Sequence, residues 1–347
     1  MTLAAVQGQP RAVDALSAAL RSGAIHHAWL FAGPEGVGKE LTAIAFAQAL
    51  MCPERPGEGC GDCATCGRVA RRNHPDVVWL MPEDEQVSRG IAGRSDFTGT
   101  PSREIKVEQI RGLQERLSFR ALEGERKIAI VASAHKMNTA AQNAFLKTLE
   151  EPPSGTVLIL SASTPDELLP TIRSRCSRVH FGPLPESFVA ERLRNERKLD
   201  EETARLVAVM AGGSMSRALE LDVKSLAQRK EIVSAFEALD FSDARTLIAF
   251  ADAHGGDRAD AEDVLRILSL WTRDLAVARV DAGALVNRDL AELAQNAAEK
   301  LSDGEVHRRH RLIELAQYAI SSRNGSARLQ LERMLIEMAR TAGAEAA

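Results

Sequence analysis

HAWLFAGPEGVGK, residues 27–39, is the stretch that decides the fold. Its first half is an apolar run typical of a buried strand, and the residues after it, 39–50, have the apolar spacing of a helix. The turn between them follows the pattern G-x-x-x-x-G-K, with its key residues at Gly33, Gly36, Gly38 and Lys39. Between a strand and a helix this pattern predicts a phosphate-binding loop, whose N–H groups and lysine hold the phosphates of a nucleotide. A Gly-rich turn without a ligand is the alternative.

The alternation of strand and helix continues beyond this loop. Strands that are apolar throughout, separated by amphipathic helices, indicate a parallel sheet covered on both faces. Besides a first strand at 27–32, the patterns predict strands at Asp76–Leu80, Lys127–Ala132 and Thr156–Ser161, with helices at 10–20, 39–50, 106–119 and 139–150.

From Pro183 onward no further strand is predicted, and the remaining residues have helical spacing. We therefore expect an α/β P-loop domain at 1–182, a small helical lid at 183–225 and an all-helical domain at 226–347.

The loop lacks the residues that a working ATPase uses to bind Mg²⁺. Position 40, where Ser or Thr would hold the ion, is Glu40. The strand at 127–132 would end in acidic residues in an ATPase, but here Ala132 and Ser133 stand in those places. The sequence therefore predicts negligible ATP turnover and leaves the binding of ATP or ADP open.

Four of the five cysteines form a cluster with the spacing C-x7-C-x2-C-x2-C. Closely spaced thiolates among glycines suit tetrahedral Zn²⁺ with no open position for catalysis. We predict a structural zinc module at about 52–75, and the ligands would be Cys52, Cys60, Cys63 and Cys66. A redox pair and free thiols are the alternatives, and His74 is interpreted as an ordinary loop histidine.

Composition excludes several classes of protein. The 347 residues are 45% hydrophobic and 27% charged, as in a packed globular protein of two or three domains. A net charge of -4 argues against a free-standing nucleic-acid-binding module. The N-terminus lacks the layout of a secretory signal, and no apolar run reaches the roughly 18 residues that a membrane span needs. We expect a soluble, cytoplasmic protein without a membrane partner.

An arginine-rich segment, TIRSRC at 171–176, follows the last predicted strand. Arginine suits a phosphate-facing interface because its guanidinium stays charged and donates in a planar fork. From spacing alone, a solvated basic loop is the simpler interpretation of Arg173, Arg175 and Arg178.

Several segments together resemble the bacterial clamp-loader AAA+ subunits of DNA polymerase III. The segments, besides the phosphate loop and the four-cysteine insertion, are VQGQ at 6–9, NAFLKTLEEPP at 143–153, TIRSRC at 171–176 and SSRNGSARLQLERML at 321–335. The resemblance implies an AAA+ domain with a helical lid, followed by a collar domain that joins those of other subunits. It also implies that Arg175 is inserted into the ATP site of a neighbouring subunit.

Within this family the chain looks most like the delta-prime subunits. Gamma/tau motor subunits keep an intact phosphate loop and an acidic strand end, whereas delta-prime subunits keep the arginine but lack ATPase chemistry. Glu40, Ala132 and Ser133 match the second pattern. The partners that the resemblance implies are gamma/tau and delta subunits, with the sliding clamp and primer-template DNA inside the complex.

Three other classes remain as alternatives. An active gamma/tau-like ATPase is opposed by the missing magnesium ligands. A small-molecule P-loop kinase would not explain the cysteines or the SRC segment. A stand-alone zinc nucleic-acid module is opposed by the acidic pI of about 6.1.

Overall fold

A five-stranded sheet forms the centre of the N-terminal part of the chain. The structure is a computed structural model that describes residues 2–323 and 325–342. The strands are β1 (Ala28–Ala32), β2 (Val77–Leu80), β3 (Lys127–Val131), β4 (Thr156–Ala162) and β5 (Ser177–His180). They stand in the order β2-β3-β4-β1-β5, and every neighbouring pair is parallel. The predicted parallel sheet is thus confirmed, and the strand before the phosphate loop lies inside it.

Helices cover both faces of this sheet. They are α1 (Pro10–Ser22), α2 (Lys39–Met51), α3 (Ala64–Ala70), α4 (Glu83–Ser88), α5 (Val107–Ser118), α6 (Thr139–Glu150) and α7 (Pro170–Arg173). On one face Ile110 of α5 and Phe145 of α6 belong to a buried cluster with the strands. On the other face Phe46 of α2 packs against Phe31 of β1, with ring centroids 6.5 Å apart. The covered faces explain why the strands are apolar throughout.

β5 is the strand that the sequence pattern did not predict. Its four residues, SRVH, bury only Val179 and leave Arg178 and His180 exposed. A short edge strand with alternating polar residues gives too little apolar signal to be distinguished from a loop. The short helices α3, α4 and α7 were missed for a similar reason, since none spans more than two turns.

The chain divides into two compact units, residues 1–189 with 213–216, and residues 190–212 with 217–347. Beyond β5 the described residues contain helices and no strand, as predicted. Trp271 lies fully buried in the apolar core of the second unit. The helices that follow β5 in the chain are α8 (Glu186–Arg197), α9 (Glu201–Met210), α10 (Met215–Glu220), α11 (Val223–Glu237), α12 (Ala244–His254), α13 (Arg258–Ala278), α14 (Ala291–Glu299), α15 (Asp303–Arg323) and α16 (Ala327–Ala342).

The boundaries predicted at 182 and 225 stay predictions. Residue 324 of the C-terminal motif and residues 343–347 lie outside the described residues. Among the helices that the structure does describe, none combines the length and apolarity needed to cross a membrane.

Candidate functional sites

The phosphate loop joins the end of β1 to the start of α2, as predicted. Gly36 and Gly38 have φ angles of 73° and 99°, which are in the left-handed region that favours glycine. A Cβ on Gly33 would lie 2.0 Å from the carbonyl oxygen of Phe181, so this position also admits only glycine. Each motif glycine is therefore required by the path of the backbone.

Lys39 lies at the centre of this loop. Its side chain is 9% exposed, and Nζ donates to the carbonyl oxygens of Gly33, at 2.7 Å, and of Pro34. Burial lowers the pKa of Lys39 to about 8, against an opposing effect of Glu35. The loop thus encloses a buried amine.

Two distant segments fasten the loop from outside. Gln9 Nε2 donates to Val37 O at 3.2 Å and to Gly182 O at 2.7 Å. The backbone N–H of Met215 donates to Gly36 O at 2.9 Å. Gln9 is the last residue of the VQGQ segment, so its hydrogen bonds give that motif a structural role that spacing alone did not suggest.

The residues around the loop do not fit the Mg²⁺ ion that a P-loop implies. The Glu40 carboxylate is already in ion pairs with Arg72 and, at 2.5 Å, with Arg89. At the end of β3, Ala132 is buried and Ser133 has no carboxylate to offer. The place where a P-loop ATPase binds Mg²⁺ thus lacks the usual ligands, as the sequence indicated, and two guanidinium groups are paired with Glu40 there.

A further carboxylate, Glu85 of α4, extends this chain of charges. Its oxygens lie 2.9 Å from Arg89 Nη2 and 2.9 Å from Lys136 Nζ. Burial tends to raise the pKa of Glu85, but hydrogen bonds from Lys136 and Ser133 hold it below the usual value. Glu85 therefore stays ionised and paired at neutral pH.

The four predicted cysteines converge on one point. Their sulfur atoms all lie within 4.8 Å of one another. The Sγ–Sγ distances are 3.6 Å from Cys52 to Cys60, 3.9 Å from Cys52 to Cys63 and 3.8 Å from Cys60 to Cys66. A tetrahedron of thiolates around one metal, with bonds of about 2.3 Å, has edges of about 3.8 Å. The cluster therefore has the donor set and the size to hold a metal ion.

The cysteine module is fixed to the C-terminal half of α2. Gln48, which is fully buried, donates to Cys66 O at 2.8 Å. Gly59 has a φ of 76°, and its added Cβ would lie 3.2 Å from the backbone nitrogen of Ala49. His74 does not join the cluster, and its Nδ1 accepts from the N–H of Asp76 at 3.1 Å. The interpretation of His74 as a loop histidine agrees with this hydrogen bond.

Arg175 lies at the N-terminal ends of the strands, whereas the phosphate loop lies at their C-terminal ends. It lies two residues before Ser177, the first residue of β5, and Ser177 is in register with Trp29 near the start of β1. Since the loop follows the other end of β1, the length of a strand separates it from Arg175. The guanidinium borders a cavity of about 550 Å³ that is also lined by His26 and His27.

Comparison with known proteins identifies the family. The family model described as DNA polymerase III, delta subunit, matches residues 8–185, which is just over half of the chain. The chain belongs to this family. The predicted clamp-loader family is thereby confirmed.

The curated relatives of this chain include both delta' and tau subunits of DNA polymerase III. DNA polymerase III subunit delta' of Bacillus subtilis is 33% identical over 67% of this chain and 65% of its own length. The delta' subunit of Pseudomonas aeruginosa is 34% identical over 61% of each chain. The tau subunit of Bacillus subtilis is 29% identical over 67% of this chain and 39% of its own length. The chain thus spans less than two thirds of the length of each of these relatives.

Identity alone separates the delta' and tau relatives only weakly, so the residues at the phosphate loop matter more. Sequence reasoning found Glu40 there, but it missed Arg72, Arg89 and Glu85. These residues come from separate elements, and no motif links them along the chain. No pattern in the sequence marked them, and the left-handed φ of 59° at Arg72 is a feature that only the structure shows.

Proposed function

We propose that this chain is a delta-prime-type subunit of the DNA polymerase III clamp loader. In this role it is a non-hydrolysing AAA+ stator that supplies Arg175 to the ATP site of a neighbouring gamma/tau subunit. Its further partners are a delta subunit and, within the assembled complex, the sliding clamp and primer-template DNA. The subunit acts in bacterial DNA replication, in the cytoplasm. Any polymerase activity belongs to the DNA polymerase III complex and not to this chain.

The position of Arg175 carries this proposal. Arg175 lies two residues before β5, at the N-terminal ends of the strands, and the chain's own phosphate loop lies beyond the C-terminal end of β1. Five residues of β1, at about 3.3 Å each, separate the two ends of the strands by roughly 16 Å. Because an arginine side chain cannot span that distance, Arg175 is available to a phosphate held by another chain and not to its own.

Chemistry gives the reason for an arginine at such a place. Negative charge builds on the phosphoryl oxygens during hydrolysis, and a guanidinium supplied by a neighbour is worth on the order of 10³–10⁵ in rate. A chain whose own loop lacks magnesium ligands can still contribute in this way. The alternative, a gamma/tau-like ATPase, is supported by the tau match but opposed by the ion pairs of Glu40.

The cysteine cluster has a structural role in this proposal. We infer that Cys52, Cys60, Cys63 and Cys66 hold one Zn²⁺ through four thiolates. A closed set of four thiolates leaves no position for a reacting water, so the metal would stabilise the module and take no part in catalysis.

Arg175→Ala in the reconstituted complex tests the function. The variant should fold, keep its metal and assemble, but the DNA-stimulated ATPase and clamp loading of the complex should fall. Arg175→Lys should restore only part of the activity, because lysine lacks the planar fork. Arg178→Ala is the matched control, since Arg178 is exposed on β5 next to the site. Clamp loading at the wild-type rate by Arg175→Ala would contradict the proposal.

A further inference from the structure

The Glu40 carboxylate is shared between two guanidinium groups at the position of a P-loop magnesium ligand. Its Oε1 contacts Arg72, and its Oε2 lies 2.5 Å from Nη1 of Arg89. The exposed fractions of the three side chains are 26% for Glu40, 25% for Arg72 and 34% for Arg89. A divalent cation bound to this carboxylate would lie beside two fixed positive charges, which repel it. The magnesium position is therefore already filled by cations of the chain itself.

Both arginines have further anchors that hold them at this place. The Arg72 guanidinium lies 4.8 Å from the ring centroid of Trp79. Arg89 Nη2 lies 2.9 Å from Glu85, which is also paired with Lys136. Neither guanidinium thus depends on Glu40 alone for its position.

Arg89 lies beside the end of the phosphate loop, because its Nη1 is 2.5 Å from Oε2 of Glu40, the residue that follows Lys39. Burial would lower the pKa of Arg89, but Glu40, Glu85 and the loop residue Glu35 raise it above its usual value. A guanidinium carries five N–H donors, and Arg72 uses only Nη2 in its ion pair with Glu40. Donors and positive charge therefore remain for an anion in the loop.

These observations indicate which kind of ligand the loop binds. We propose that the loop from Gly33 to Lys39 binds the phosphates of a nucleoside diphosphate without a divalent cation. Arg89 and Arg72, held by Glu40, take the place of magnesium. The loop N–H groups and Lys39 contact the phosphates, as in other P-loops.

The same carboxylates favour a diphosphate over a triphosphate. In a P-loop the residue after the lysine faces the outer phosphates, where a hydroxyl normally holds the metal. Here that residue is Glu40, and Glu35 lies in the loop itself. Arg72 and Arg89, less the charge of Glu40, supply one net positive charge where Mg²⁺ supplies two, so a third phosphate is neutralised less well. The site therefore binds the diphosphate more tightly, and it does so independently of any role of Arg175.

Calorimetric titration of the full chain with ADP, in excess EDTA and in excess Mg²⁺, tests the site. Equal affinity in the two buffers and weaker binding of ATP in EDTA are expected. Lys39→Ala and Arg89→Ala should each weaken ADP binding in EDTA about tenfold or more, because each removes a charge-assisted contact. Arg94→Ala should leave the affinity unchanged, since Arg94 is exposed in the same polar segment and has no ion pair with Glu40.

Glu40→Gln gives a test of opposite sign. It removes a negative charge and leaves both guanidiniums, so ADP binding should tighten. If the ion pairs serve only to hold the fold together, the variant should instead bind more weakly or unfold. The proposal is overturned if folded wild-type protein does not bind ADP in EDTA, if binding requires Mg²⁺, or if Arg89→Ala, folded by circular dichroism, binds as wild type. Should Arg89→Ala not fold, Lys39→Ala and Glu40→Gln decide by the same criteria.

Discussion

Arg175 and Glu150 form an ion pair, with Nη2 of the arginine 2.7 Å from Oε1 of the glutamate. Glu150 is the last residue of α6, which ends there because the prolines at 152 and 153 do not continue a helix. Arg175 Nη1 also donates to Thr171 O at 3.0 Å. The guanidinium therefore has a defined direction within the chain itself, and Glu150 shows that the segment 143–153 does more than pack in the core.

Glu150→Gln should lower the ATPase rate of the reconstituted clamp loader modestly. The exposed fractions of the side chains are 37% for Arg175 and 49% for Glu150, and exposed pairs contribute about 1 kcal/mol or less. A loss of pre-orientation of that size corresponds to about a fivefold lower rate at most. DNA-stimulated ATPase of the complex is the measurement.

Two controls separate positioning from general damage in that experiment. Glu151→Gln changes the neighbouring glutamate, which has no ion pair with Arg175, and should leave the rate unchanged. In the Arg175→Ala background, Glu150→Gln should have no further effect, because its action passes through the guanidinium. An equal loss in both backgrounds would show that Glu150 acts on something else.

The purified chain should contain about one Zn²⁺, and Cys60→Ser should lose it. Three thiolates bind zinc far more weakly than four, and metal binding is coupled to the folding of the module. Elemental analysis gives the zinc content, and hydrogen exchange should rise in residues 52–75 while β1, β3 and β4 stay protected.

Cys176→Ser is the matched control for the metal, because this lone cysteine lies outside the cluster. It should keep full zinc content. A wild-type chain without zinc, in which all four cluster thiols react freely in the native state, would show that the cluster is not a metal site.

The strands, the glycine-rich loop and the cysteine cluster could be predicted because each depends on residues that lie close together in the sequence. Four of the five strands are apolar runs, and the glycines of the phosphate loop are required by their own φ angles. The cysteines were predictable since a small metal module draws its ligands from neighbouring turns. The short segment from Cys60 to Cys66 already brings three of the sulfurs together.

The ion pairs of Glu40 could not be predicted in the same way. Arg72 follows the cysteine module and Arg89 follows α4, so their meeting depends on how separate elements pack against α2. Charged residues in polar segments usually face water, and sequence gives no sign of which ones pair. The role of Gln9 was hidden for the same reason, because its partners are backbone atoms far along the chain.

The purified chain should hydrolyse ATP no faster than its Lys39→Ala variant. The carboxylate of Glu40 is ion-paired with two guanidiniums, and Ala132 and Ser133 provide no carboxylate to position a metal or water. Phosphate release from highly purified protein, with and without primed DNA, is the measurement. A turnover that disappears in Lys39→Ala would contradict this prediction and favour an active motor.

Asp76→Asn should destabilise the N-terminal unit by on the order of 2 kcal/mol. The side chain is fully buried just before β2, and its oxygens accept from the N–H groups of Leu122, Glu123 and Gly124 at 2.7, 2.8 and 3.3 Å. An asparagine keeps one acceptor and turns an amide donor toward these donors, so at least one hydrogen bond is lost. Urea unfolding of the variant at neutral pH gives the difference.

The destabilisation caused by Asp76→Asn should shrink in acid. Burial tends to raise the pKa of Asp76, but the three N–H donors hold it below its usual value. A carboxyl with a lowered folded pKa stabilises fully above its unfolded pKa, near 3.9, and loses that effect as pH falls through the folded pKa. Asp14→Asn, at an exposed position of α1, should match the wild type throughout. A deficit that stays constant down to the lowest pH at which the protein is folded would mean that the charge of Asp76 does not matter, and that its shape alone holds residues 122–124.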